Sequence, residues 1–175
     1  MERLNESRDK AIKKLQIADH MLTQTYPKIN DPKLLLAVLE NLFLALTNAM
    51  AALLHHERVN KRIEDFADTF DAKYNLFKLS VVDCYGLDRD HVSFIAEIKD
   101  LLVSHRKSPV EFSRNGALVI ADDRYQLTAL TAASMKENLA KTKTAVNDIL
   151  ACLSKTPQNI PQKAETDERW KELGL

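Results

Sequence analysis

The sequence has very little glycine, since only Gly86, Gly116 and Gly174 occur in 175 residues. Loops that cradle phosphate groups in P-loop and dinucleotide-binding proteins need several glycines within a few residues. No Gly-x-Ser-x-Gly elbow of the hydrolase type occurs either. The sequence therefore disfavours nucleotide hydrolysis and most familiar hydrolytic chemistry.

Cysteine is also scarce, and the two cysteines, Cys84 and Cys152, are far apart and belong to no Cys-x-x-Cys or Cys/His array. We expect buried free thiols in a reducing compartment. Neither the paired Glu-x-x-His motif of di-iron bundles nor His-Glu-x-x-His is present, and the nearest run is His55-His56-Glu57. Adjacent histidines on a helix point about 100° apart, so this run suits a solvated helix end better than a metal site. We predict no metal and no cofactor.

An excess of charge of either sign is absent, because 25 basic side chains balance 25 acidic ones. This balance argues against a protein that coats nucleic acid or an anionic membrane, although it permits a local basic patch. Residues 1–6 are charged and lack the apolar core of a signal peptide. We therefore expect a cytoplasmic protein without a membrane partner.

Helical periodicity covers most of the chain and predicts an all-α fold, an antiparallel bundle of about five helices. The first helix should run over residues 2–25, before Pro27, and the second should begin at Asn30-Asp31-Pro32. Aromatic residues at helical spacing over 63–77 predict a third helix that starts after Asn60.

The remaining helix boundaries come from capping signals. Gly86 should end the third helix, Asp88 should cap the fourth, and Thr128 or Thr131 should begin the fifth. We assign residues 1–154 to the bundle. Residues 155–175 read as a polar tail with the pattern of a short helix at 165–173.

One β-hairpin, at residues 109–121, should interrupt the helices between the fourth and the fifth. Pro109 cannot continue a helix. Asn115-Gly116 stands between two β-prone runs and is a strong signal for a two-residue turn, because both central residues must accept positive φ.

The second helix is the most hydrophobic element, with few polar residues between Leu34 and Leu54. Its length raises the possibility of a membrane span, but its polar residues and many alanines favour a central buried helix. The polar residues repeat about every seven positions and form one stripe: Glu40, Asn41, Thr47, Asn48 and His55. The stripe is either the narrow face that meets water or a buried line that faces a ligand, metal or partner.

The strongest candidate site is a basic group around the hairpin: His105, Arg106, Lys107 and Arg114. If the hairpin gathers them, these donors suit phosphate or carboxylate ligands, and the histidine could act in acid–base cleavage of RNA. Three carboxylates are near enough in sequence to neutralise them instead: Glu111, Asp122 and Asp123. A binding site and a structural salt-bridge network both fit this pattern.

An amphipathic first helix, an apolar second helix and further antiparallel helices resemble the HEPN superfamily of helical bundles. The stretch 106–112, Arg-Lys-Ser-Pro-Val-Glu-Phe, resembles archaeal proteins of similar size with no activity attached. Active HEPN ribonucleases share an arginine followed four to six residues later by a histidine. Here no pair has that spacing, since Arg89 and His91 are too close and His105 precedes Arg106. The resemblance therefore implies a dimeric protein that binds rather than cleaves.

Three functional hypotheses follow. The first is a non-catalytic binding protein, a homodimer through the second helix, that recognises RNA or a partner protein through the basic hairpin end. The second is an RNA endonuclease of divergent HEPN type that uses His105 with Arg106, Lys107 or Arg114. The third is a bundle that binds a metal or small molecule through Glu40, Asn48 and His55.

Overall fold

The structure is a computed structural model, and it describes residues 1–122 and 124–157. Over these residues it confirms a mostly helical bundle of five helices, with antiparallel strands between the fourth and the fifth. We name the helices in chain order: α1 (Glu2–His20, continued by a π turn Met21–Thr25 and a last turn Tyr26–Ile29), α2 (Lys33–Val59), α3 (Phe70–Leu76, continued through Phe77–Val81 and Val82–Tyr85), α4 (Arg89–Lys107) and α5 (Ala132–Ala151). The strands are β1 (Val110–Arg114), β2 (Ala117–Ala121) and β3 (Leu127–Leu130).

The first helix does not stop before Pro27, so the predicted end at residue 25 is wrong. The chain forms a π turn in which the Tyr26 N–H bonds to the Met21 carbonyl. Proline removes a ladder hydrogen bond, but the ladder is already shifted by one residue at this point, and the helix continues to Ile29. It ends at Asn30, which has a left-handed backbone with φ 52°.

The apolar α2 is the centre of the core, as predicted. It packs against α1, α5 and α4. By length and mean hydropathy, 1.8, this helix would also suit a membrane span. Inside the bundle its leucines contact the neighbouring helices instead, and the fully buried ones are Leu35, Leu39, Leu42, Leu46, Leu53 and Leu54.

The third helix begins nine residues later than predicted, because residues 61–69 form a loop and α3 starts at Phe70. Thr69 supplies the cap, and its Oγ1 accepts a hydrogen bond from the Ala72 N–H at 3.3 Å. Phe66, which had the helical spacing, lies in the loop and packs its ring on His55 with centroids 5.3 Å apart. The helical spacing of the apolar residues over 63–69 therefore does not reflect a helix.

The capping predictions after α3 hold. Gly86 ends this helix with φ 60°. Asp88 caps α4 by accepting a hydrogen bond from the Asp90 N–H at 2.9 Å. Thr131, rather than Thr128, begins α5, and it forms a reciprocal capping box with Ser134.

The hairpin forms as predicted, with φ 50° at Asn115 and 73° at Gly116. Sequence reasoning missed β3, which extends the hairpin to a three-stranded antiparallel sheet of order β1-β2-β3. One face of the sheet packs on the helical core through Leu118, Ile120 and Leu130. The predicted tail helix at 165–173 lies outside the described residues.

Candidate functional site

The basic residues of the predicted site lie at two ends of β1. His105, Arg106 and Lys107 form the last turn of α4, just before the strand, and Arg114 is the last residue of the strand. A strand rises about 3.3 Å per residue, so Val110 and Arg114 are about 13 Å apart. The four residues therefore border the sheet and do not converge on one cleft.

The carboxylates predicted to neutralise this group are differently engaged. Glu111 Oε1 contacts His105 Nδ1. Asp122 Oδ1 accepts the backbone N–H groups of Arg124 and Gln126, both at 2.8 Å, and so holds the β2–β3 loop. Asp123 lies outside the described residues.

Three of the four basic residues remain exposed. Within residues 1–122 and 124–157, no carboxylate forms an ion pair with Arg106, Lys107 or Arg114. A guanidinium or ammonium without a protein partner keeps its hydrogen-bond donors available for an external anion. Arg106, Lys107 and Arg114 are therefore exposed cations at the border of the sheet.

The face of the sheet that points away from the core is apolar. Side chains alternate along a strand, and the strand register places one set together on this outward sheet face: Val110, Phe112, Arg114, Ala117, Val119, Ala121, Leu127 and Ala129. On the two outer strands three of them are substantially exposed, Val110 at 48%, Phe112 at 40% and Leu127 at 63%, whereas Val119 and Ala121 of the middle strand are buried, at 8% and 3%. An aromatic ring thus lies in the middle of an exposed strand.

The β2–β3 loop adds two residues that sequence reasoning missed, Arg124 and Tyr125. Tyr125 is 76% exposed and has φ 58°. A bulky residue in the left-handed region is uncommon and costs free energy, and such residues concentrate at functional sites. The register Val110↔Ala121 and Ala121↔Leu127 places this loop at the same end of the sheet as Arg106 and Lys107. The sequence could have placed this loop at the sheet end only if β3 had been predicted.

The polar stripe of α2 is mostly satisfied by its own helix. The amide nitrogen of Asn41 donates to the Ala37 carbonyl at 2.8 Å, and that of Asn48 donates to the Leu44 carbonyl at 2.6 Å. The Thr47 hydroxyl donates to the same Leu44 carbonyl at 3.3 Å. Glu40 is exposed. These side chains therefore do not converge on a cavity.

His55, the last member of the stripe, is buried, with 9% of its surface exposed. Its Nδ1 has no hydrogen-bond partner among the described residues. Burial, helped by the nearby Arg58 charge, lowers the pKa of His55 below its ordinary value, so the ring is neutral at neutral pH. In the described part of the chain no three potential ligands are grouped for a metal ion.

A second polar cluster lies under the 60–69 loop. The Tyr85 hydroxyl donates to Glu57 Oε1 at 2.6 Å, and Arg62 Nη1 donates to the same oxygen at 3.0 Å. Glu57 is only 4% exposed. Its partners are all within the protein, which makes this cluster a structural tie between α2, the loop and α3.

Both cysteines are free and buried, as predicted. The Cys84 and Cys152 thiols donate to the carbonyls of Ser80 and Asp148, at 2.9 and 3.2 Å. Burial raises the pKa of both thiols. Neither has the lowered pKa of a nucleophilic cysteine.

A groove of about 590 Å³ runs between α4 and α5 and is lined in part by His91, Phe94, Glu97 and Lys141. Its charged groups are partly paired internally, since His91 Nε2 lies 2.9 Å from Asp148 Oδ2 and Lys141 lies over the Phe94 ring. The groove therefore offers fewer unpaired donors than the sheet end.

Comparisons with known proteins identify no relative of this chain. No family model, no curated protein and no solved structure matches the chain. Function must therefore be argued from the chemistry of the sheet end itself.

Proposed function

We propose that the protein is a non-catalytic binding protein that takes single-stranded RNA on the outward sheet face. The observation that carries this proposal is the combination of exposed aromatic rings, Phe112 and Tyr125, with exposed cations that have no ion-pair partner among the described residues. Proteins bind single strands by stacking bases on aromatic side chains while cations follow the phosphate backbone.

The dimensions of the face suit a short stretch of nucleotides. Phe112 occupies the centre of β1, and the sheet is about 10 Å wide from β1 to β3 at the usual strand spacing. Four-stranded RNA-binding sheets stack about two or three bases on their aromatic side chains. Arg114 at one end, and Arg106, Lys107 and Arg124 at the other, are placed to meet phosphates on both sides of the stacked bases.

The overall charge of the protein makes this a local interaction. With no net charge, the chain has no long-range attraction for nucleic acid. Binding should therefore depend on the few cations at the sheet. The logarithm of the binding constant should fall only gently with the logarithm of the salt concentration, by about 0.7 per neutralised phosphate.

The test is fluorescence anisotropy with a labelled single-stranded RNA at low salt. Phe112→Ala and Tyr125→Ala should each weaken binding by about 5-fold to 150-fold, the usual cost of losing one stacked base. Ile12→Ala is the matched control, because Ile12 is 41% exposed on α1, away from the sheet. Equal affinities for Phe112→Ala and Ile12→Ala would contradict the proposal.

The same binding assay also tests the cations, by substitution of charged residues. Arg114→Ala should weaken binding and reduce the salt slope, whereas Lys13→Ala, at an exposed position of α1, should change neither. A single-stranded DNA of the same sequence tests whether the 2′-hydroxyl contributes. Failure to bind either strand would overturn the proposal in favour of a protein partner on the same face.

A second candidate, the divergent RNA endonuclease, rests on the contact between His105 Nδ1 and Glu111. A carboxylate that holds one ring nitrogen leaves Nε2 available for proton transfer. If this candidate is right, the protein cleaves RNA in the presence of a chelator and His105→Ala abolishes the cleavage on a denaturing gel. RNA that stays intact with the wild-type protein would exclude it.

A further inference from the structure

One edge of the sheet is open. Among the residues that the structure describes, β1 pairs only with β2, and all five residues of β1 are exposed. Within the described residues, no backbone group from outside the sheet bonds to the strand. Natural proteins usually protect such an edge with lysine or other charges, proline, a bulge or a covering element. Val110–Arg114 contains no lysine and no proline, and its charged residues are Glu111 and Arg114.

The backbone groups at this edge can be identified from the register. Arg114 and Ala117 flank a two-residue turn, so they form a hydrogen-bonded pair, and Phe112 and Val110 bond to β2 in the same way. The pairing on the other side of β2 is consistent with this pattern. The Asp122 N–H bonds to the Gln126 carbonyl at 3.0 Å, so the backbone N–H and C=O groups of Leu118 and Ile120 point towards β3. The N–H and C=O groups of Glu111 and Ser113 therefore point out from the open edge.

We infer that this edge pairs with β1 of a second copy of the chain, antiparallel and centred on Phe112. In this register Glu111 lies opposite Ser113 of the second copy, and twofold symmetry repeats the pair, which gives four backbone hydrogen bonds. Val110 lies opposite Arg114 and Phe112 lies opposite itself. All five residues of the strand are paired and no like charges face each other.

The neighbouring symmetric registers are worse. Pairing centred on Glu111 would place the two Glu111 carboxylates opposite each other. It would also place Ser113 opposite Pro109 of the second copy, which has no N–H. A centre at Ser113 sets Glu111 against Asn115, which belongs to the turn and has φ 50°. The sequence of β1 is thus complementary to itself in one register.

This interface differs from the dimer predicted from sequence, which used α2. The buried residues of that helix, such as Leu42 and Leu46, lie in the core of the protomer. Pairing through β1 instead produces a six-stranded sheet in which the two outward sheet faces are continuous and the two Phe112 rings are neighbours. The inference stands on the strand edge and does not depend on RNA binding.

Sedimentation velocity over a range of protein concentrations tests the dimer, with Ser113→Glu and Ser113→Lys as a matched pair. Ser113→Glu puts a carboxylate opposite Glu111 of the second copy and should weaken the dimer by about tenfold, since two such pairs form. Ser113→Lys puts an ammonium there and should leave the dimer as tight or tighter. A wild-type protein that is monomeric at every concentration, or equal behaviour of the two variants, would overturn the inference.

Oxidative crosslinking gives a second measurement. Residues opposite each other in a non-hydrogen-bonded pair have Cα atoms about 4.5 Å apart, within the range of a disulfide. Phe112→Cys should therefore form a covalent dimer, whereas Ser113→Cys, which faces Glu111 rather than itself, should not. The native cysteines are buried and do not interfere. Equal crosslinking of both variants would contradict the register.

Discussion

The Tyr26 hydroxyl donates a hydrogen bond to the carbonyl oxygen of Gly116 at 3.1 Å, across 90 positions of sequence. Tyr26 lies in the last turn of α1, which exists because the helix continues past Pro27. Gly116 is in the β1–β2 turn, with φ 73°. The continuation of the first helix therefore anchors the tip of the sheet that carries the candidate site.

Removal of this hydroxyl should loosen the turn. Tyr26→Phe keeps the ring, which is 9% exposed, in the core, and should lower the free energy of unfolding by about 1 kcal/mol, the usual net value of one hydrogen bond. Urea unfolding measures the difference. Tyr125→Phe is the control, because its ring is 76% exposed and its loss of a hydroxyl should cost little. Wild-type stability in Tyr26→Phe would show that the bond does not hold the turn.

The start of α5 offers a prediction about capping. Thr131 Oγ1 accepts the Ser134 N–H at 3.0 Å, while Ser134 Oγ accepts the Thr131 N–H at 3.0 Å. Thr131→Ala should lower the free energy of unfolding by about 1 kcal/mol. Thr128→Ala, at an exposed position of β3, serves as the control in the same urea titration. A larger effect of Thr128→Ala would mean that strand propensity, not the cap, determines this boundary.

His55 should make the protein sensitive to mild acid. Its pKa is lowered by burial first, then by the charges of Arg58, Lys73 and Arg3, while Asp68 acts in the opposite direction. Because the folded protein binds this proton less readily than the unfolded chain, stability is highest above the unfolded pKa of about 6.5 and falls as the pH drops below it.

His55→Leu removes the titration and should shrink the difference in unfolding free energy between about pH 7.5 and about pH 5.5. His20→Leu, at an exposed position, should keep the wild-type difference. Chemical denaturation at the two pH values measures both. If the two variants retain the same acid sensitivity, another group is responsible for it.

Local signals were sufficient to predict much of the fold. Asn115-Gly116 marks the turn because few other dipeptides accept two positive φ values. Asp88 and Thr131 mark helix starts because their side chains bond backbone N–H groups. Each of these signals acts over four residues or fewer, and the structure bears each of them out.

The rest depended on contacts between distant residues. β3 has only four residues, Leu127–Leu130, and is a strand because β2 offers it an edge. Phe66 had helical spacing, but its ring packs on His55 from a loop. The candidate site was incomplete for the same reason, since Tyr125 reaches the sheet end only through the β2–β3 loop.

The buried pair of Tyr85 and Glu57 should be worth more than an ordinary hydrogen bond. Tyr85 donates to a carboxylate at 2.6 Å, whereas Tyr74 donates to a neutral carbonyl, that of Val92, at 3.1 Å. Hydrogen bonds to charged groups contribute about 1.5–3 kcal/mol, and neutral ones about 1 kcal/mol. In urea unfolding, Tyr85→Phe should therefore destabilise the protein more than Tyr74→Phe, and the reverse order would contradict this assignment.

The same pair predicts an alkaline effect. Burial and the hydrogen bond to Glu57 raise the pKa of Tyr85 far above its ordinary value. The folded protein then keeps a proton that the unfolded chain loses above about pH 10, so stability falls as the pH rises past that point. Cys84 and Cys152 act in the same direction at lower pH. When the free energy of unfolding is plotted against pH, the slopes for wild type and Tyr85→Phe should therefore differ only above about pH 10. The thiol contributions are common to both proteins and cancel.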